Sequence, residues 1–131
     1  METNTENAVN ELGEEINEKI AGITLYDNEA GTNTSPMNLT ESSANFKYID
    51  IQYKLISSNT TYYSSTRIYE PNQKEVALNI YTASSGGADS VVGTLLIAFN
   101  EATATMRRNY TFVGASKGEK EMFITKIVGY K

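Results

Sequence analysis

The spacing of apolar residues changes once along this chain, at Gly22, and that change limits what the polypeptide can fold into. Before it, Val9, Leu12, Ile16, Ile20 and Ile23 recur three or four residues apart. That is a single apolar stripe on a helix whose other faces carry Glu and Asn. After it no helical period persists, and short runs rich in Thr, Tyr, Ile and Val alternate with turn-forming segments. The chain therefore divides into a helical lead, residues 1–21, and a β head, residues 22–131. Asn4 or Thr5 is expected to cap the helix, with Glu2 and Glu6 near its positive end and Gly22 as its stop. Gly13 weakens its middle by about 1 kcal/mol.

Charge divides at the same place. The net charge is −5. Within residues 1–20, Glu2, Glu6, Glu11, Glu14, Glu15 and Glu18 face one base, Lys19, so the lead carries all of it and the head is neutral. A stripe this short does not hold a lone helix together in water. It must lie on its own head, on copies of itself, or on a larger partner. Steps of eleven residues, Val9 to Ile20 and Leu12 to Ile23, suit a nearly straight bundle. Association of such leads sets like charges against one another, a repulsion screened over roughly 10 Å at 0.1 M salt.

In the head, strands are expected at 23–26, 46–56, 62–69, 75–82, 91–99, 103–107, 110–113 and 122–130. Ile49, Ile51, Tyr53 and Leu55 alternate with polar residues, as do Val76, Leu78 and Ile80, giving strands with one face on a core and one in water. Residues 91–99 are apolar on both faces, which suits a central strand or one buried against another subunit. Many short strands with intervening turns make the fold class mainly β, an antiparallel sandwich or jelly-roll-like head carrying a short N-terminal helix.

The chain contains no Cys and no His. Disulfides, thiolate metal sites and Ser-His-Asp or Cys-His catalysis are thereby excluded. No cofactor and no metal are expected. Asp27, Asn28 and Glu29 do not fit an EF-hand loop. Ser84 to Asp89 resembles a phosphate loop only in its glycines and is expected to be a hairpin turn. A neutral head without a basic cluster argues against nucleic acid, and the adjacent Arg107 and Arg108 are read as a solvated strand end. No apolar run approaches the ~20 residues of a membrane span, so membrane insertion is not expected. Sequons at Asn33, Asn38, Asn59 and Asn109 read as ordinary Asn/Thr-rich surface.

Several segments resemble a known module. These are Ile23-Thr-Leu25-Tyr26-Asp27-Asn28, Gly31-Thr32, Leu39-Thr40-Glu41-Ser42, Ala44-Asn45-Phe46-x-Tyr48-Ile49-x-Ile51-x-Tyr53, Ile68-Tyr69-x-Pro71-Asn72-x-Lys74 and the ending Ile124-x-Lys126-Ile127-Val128-Gly129-Tyr130-Lys131. Together they look like a C-terminal β module of structural proteins (tail-fibre, baseplate or head-fibre proteins) from phages of Gram-positive bacteria. The likeness spans residues 22–131. It implies a virion appendage on the particle surface, made in the bacterial cytoplasm, and a homo-oligomer, best read as a trimer. It carries no catalytic signature. Fibre proteins have long shafts, whereas about twenty residues precede the module here.

Nine tyrosines occur in the chain, and Tyr48, Tyr62, Tyr63, Tyr69 and Tyr81 fall in neighbouring expected strands beside Ser and Thr. Such a surface suits a sugar ring or polar polymer, although strand tyrosines more often fill cross-strand pairs. Tyr62 and Tyr63 stand out because consecutive strand residues face opposite sides. The reading from sequence is a non-enzymatic appendage binding host surface polysaccharide in several copies. Val9, Leu12, Ile16, Ile20 and Ile23 would mediate oligomerisation or docking onto other virion proteins. The alternatives are a capsid or tail decoration protein, and a glycan depolymerase using Glu119 and Glu121 with Asp89 or Glu75.

Overall fold

The structure, a computed structural model, describes residues 2–83, 87 and 89–131, with residues 2–4 and 18 described in backbone only. A helix, α1 (Glu2–Ile20), is followed by nine strands: β1 (Ile23–Thr32), β2 (Met37–Asn38), β3 (Tyr48–Ser57), β4 (Thr60–Tyr69), β5 (Glu75–Ala83), β6 (Ser90–Asn100), β7 (Thr103–Val113), β8 (Ser116–Glu119) and β9 (Met122–Tyr130). One antiparallel sheet runs β1-β9-β3-β4. The other runs β2-β7-β6-β5, with β8 also paired to β7. The molecule is mainly β, a two-sheet sandwich with one short N-terminal helix.

Alternation builds the core. On β3, Ile49, Ile51, Tyr53 and Leu55 turn inward and are all but inaccessible. They meet Leu78 and Ile80 of β5 and Val91, Leu95, Ile97 and Phe99 of β6, while Leu25, Met122, Ile124 and Ile127 complete the layer from β1 and β9. β6 is a central strand, between β5 and β7; Val91, Leu95, Ile97 and Phe99 turn into the core, while Val92, Leu96 and Ala98 on its other face are half-buried. Tyr53 is a core residue rather than a surface one. Its hydroxyl donates to the Asn79 carbonyl at 3.3 Å and pairs with Thr66 Oγ1 at 2.8 Å, linking the two sheets. At Gly129 an added Cβ would run into the Phe46 ring, so glycine there permits the close approach.

Five expectations from sequence need correction. The helix begins at Glu2, so Asn4 and Thr5 lie inside it rather than capping it; the side chains of Glu2 and Asn4 are outside what the structure describes. Ile23 leaves the apolar stripe. Gly22, at φ 80°, ends the helical region, and Ile23 opens β1 opposite Gly129, packed against the core. β1 continues through the polar residues 27–32, where a register shift against β9 and the positive φ of Gly31 absorb its irregularity. The runs 103–107 and 110–113 form one strand interrupted by a bulge, and Ser116–Glu119, expected to be a turn, pairs with β7. Most of the 84–89 connection expected to be a hairpin turn lies outside the described residues.

Candidate functional site

The outer face of the β1-β9-β3-β4 sheet carries one organised side-chain cluster. Antiparallel register places Tyr48 of β3 opposite Tyr69 of β4 on one side and Tyr130 of β9 on the other. The Tyr48 and Tyr130 rings stack at 4.9 Å and 25°, while Tyr48 and Tyr69 meet at 5.6 Å and 57°. Both separations fall within the attractive range for aromatic pairs. The Arg67 guanidinium lies 4.1 Å from the Tyr48 ring centroid and 5.6 Å from that of Tyr130. Two residues along each strand, the same register sets Asp50 opposite Arg67. Arg67 Nε donates to Asp50 Oδ1 at 2.8 Å and Nη2 donates to Oδ2 at 2.9 Å.

This forked pair fixes the guanidinium plane over the rings. The Asp50 hydrogen bond is the main cause holding Arg67 above its usual pKa, so the cation persists wherever the fold does. The pair is exposed, and its value is geometric more than energetic. The product is a preorganised platform with an open ring at Tyr69, 60% exposed, rimmed by phenol hydroxyls and a fixed cation. Chemically it suits a planar or ring-shaped polar partner.

The five sequence-nominated tyrosines do not converge. Only Tyr48 and Tyr69 share the platform. Tyr62 packs against the core. Tyr63 is 76% exposed and lies on the same face as Tyr69, beside a shallow groove lined by Gln52, Ser65 and Thr125. Six residues of strand separate the two, about 20 Å, too far for one sugar ring. Tyr81 projects from β5 in the other sheet. Sequence reasoning missed Arg67, Asp50 and Tyr130. Period two would place Arg67 beside Tyr69 and Asp50 beside Tyr48, but nothing local shows that β9 returns next to β3.

The platform stands where α1 enters the head, since a Cβ on Gly22 would strike Val128 and Tyr130. Tyr63 and Tyr81 lie toward the far end, near the β3–β4 turn and the Ala83–Ser90 end of the β5–β6 hairpin. The stripe itself is uncovered: Val9, Leu12, Ile16 and Ile20 are 64%, 57%, 48% and 75% exposed, so the chain's own head does not bury it.

The acidic residues are scattered. Glu119 ion-pairs with Lys117 at 3.7 Å, and Glu121 lies against Gly118. Asp89 sits beside Gly114. Glu75 lies three strands and four residues from Glu119 by register, about 20 Å by strand geometry, against the 5–10 Å of a glycosidase pair. Among the described residues no helix is long and apolar enough to cross a membrane. In comparisons with protein-family models, curated proteins and solved structures, none was found to match this chain.

Proposed function

We propose that this chain is a non-enzymatic appendage subunit of a phage particle, a β head presented in several copies, most simply three, by its N-terminal helix. The observation that carries the multi-copy part is the uncovered stripe of Val9, Leu12, Ile16 and Ile20. Four aliphatic side chains in line on a short helix are stable only when something covers them. Association also provides a function. A weak polar surface repeated on one axis gains apparent affinity by a factor on the order of 10²–10⁴ without new contacts. The virion setting rests on the sequence resemblance, and the expected ligand is host surface polysaccharide met by exposed tyrosines such as Tyr63, 76% exposed near the far end of the head.

Light scattering tests the assembly. The expected mass is roughly three times 14.5 kDa, falling to one copy when Leu12→Glu and Ile16→Glu are combined. A wild-type monomer at micromolar concentration overturns the reading. For adhesion, the expected result is retention of the wild-type protein, and weaker retention of Tyr63→Ala, on immobilised Gram-positive wall polysaccharide. No retention on any such preparation would leave only a structural role.

One observation favours that second reading, a decoration protein without a host ligand. The Tyr48–Tyr69–Tyr130 platform stands at the helix end of the head, where neighbouring heads would meet if their helices bundle.

A further inference from the structure

A second feature lies on the other sheet, at the edge of β7. The β6–β7 register steps from Leu96↔Arg108 to Ile97↔Met106, leaving Arg107 as the extra residue of a bulge. A bulge sets two residues against one, so Arg107 and Arg108 are both exposed instead of turning to opposite faces. They lie mid-strand, not at the strand end expected from sequence. Neither has an ion-pair partner among the described residues.

Both arginines line a cleft of about 420 Å³ together with Lys120, Asn33, Thr34 and Glu119. That volume lies within the ~300–1,000 Å³ of small-ligand sites. Its acid is already engaged, since Glu119 pairs with Lys117 at 3.7 Å. Three cations against one carboxylate leave a local charge of +2 in a chain of net charge −5.

The walls are fixed by hydrogen bonds the ligand would not have to organise. Asn33 Nδ2 donates to the Lys120 carbonyl at 2.8 Å, joining the β1–β2 and β8–β9 connections across the cleft. Ser35 Oγ accepts from the Met106 N–H at 2.6 Å, and the Lys120 N–H donates to the Asn109 carbonyl at 3.0 Å. The buried Asn109 amide clamps Met122, donating to its carbonyl at 2.8 Å and accepting from its N–H at 3.1 Å.

We propose that this cleft binds a phosphate monoester of a sugar or polyol, the dianion held by Arg107, Arg108 and Lys120 and the hydroxylated carbons by the Asn33–Thr34 wall. Arginine favours multidentate oxyanions. The local charge of +2 matches a phosphate dianion better than a single carboxylate, and one small patch on an acidic protein is a poor footprint for nucleic acid. The site belongs to the head alone and does not depend on the appendage reading, so a failed titration here leaves the light-scattering test untouched.

The experiment is titration of the full chain with glucose 6-phosphate, followed by calorimetry and backbone amide shifts, with inorganic phosphate, glucuronate and a single-stranded oligonucleotide as separate arms. The expected result is saturable binding that moves amides at 106–109 and 119–120, weakens with added salt, and falls at least about tenfold in Arg107→Gln/Arg108→Gln. Lys120→Gln, whose backbone contact is unaffected, is expected to weaken binding by several-fold, and it keeps the test open if the double variant misfolds. Undisturbed amides with the wild-type protein, or equal binding by the folded variants, would overturn the site. Inorganic phosphate or glucuronate binding as tightly as the ester, or the oligonucleotide binding more tightly, would overturn the assigned ligand.

Discussion

The head and the helix solve the same physical problem in opposite ways. Each presents apolar residues at the period of its own backbone, but the head closes two such faces on each other. Leu95 is wholly inaccessible there, while Leu12 on α1 is 57% exposed. Burying a leucine is worth about 1.5–3 kcal/mol, and the head gains that from its own chain. The helix can gain it only from outside. The contrast teaches that a stripe legible in sequence states a demand for burial without naming what meets it.

The contrast is broken most forcefully by shortening one leucine in each region. Leu95→Ala is expected to cost the head about 2–5 kcal/mol in denaturant unfolding, whereas Leu12→Ala leaves head unfolding within about 0.5 kcal/mol and weakens self-association instead. A large stability loss from Leu12→Ala would mean the helix packs on its own head after all. Next in size is Gly129→Ala, which must displace the buried Phe46 ring and is expected to cost about 1–3 kcal/mol, read as a lowered unfolding midpoint.

The same glycine-to-alanine change has the opposite sign on the helix. A methyl group added at Gly13 would meet no heavy atom within 4 Å, so Gly13→Ala should raise helix content and assembly strength by about 1 kcal/mol, measured by circular dichroism and dilution. Smallest is Thr111→Val. The Thr111 hydroxyl is buried and has no partner among the described residues, so its removal is expected to stabilise the head by up to about 1 kcal/mol, and a loss would indicate a partner such as a bound water.

Much of the fold was legible because β3 and β5 keep strict alternation and α1 keeps its stripe. What failed did so where the period is interrupted. The extra residue Arg107 reverses the phase of β7, so one strand reads as two with a solvated end between them. The outer half of β1 pairs on one side only, with β9, and its Asp, Asn, Glu and Gly look like a loop. Ile23 continues the helical spacing numerically, yet Gly22 turns the chain before it. The platform was half legible. Residue type alone points to Tyr48 and Tyr69, but Tyr130 joins them through pairing between strands far apart in sequence, and nothing local marks Arg67, because its partner Asp50 lies on another strand.

The Ser35–Met106 hydrogen bond has a consequence beyond the cleft it borders. On the edge of β7 away from β6, β2 and β8 cover Thr103–Ala104 and residues 110–113, leaving a stretch between them with no strand on that edge. Bare stretches of this kind invite a foreign strand to add on and propagate into fibrils. One serine hydroxyl occupies the Met106 N–H in the middle of that stretch, and the outward charges of Arg107 and Arg108 repel an identical neighbour. Heads held close to identical copies would thus be protected from polymerising through this edge.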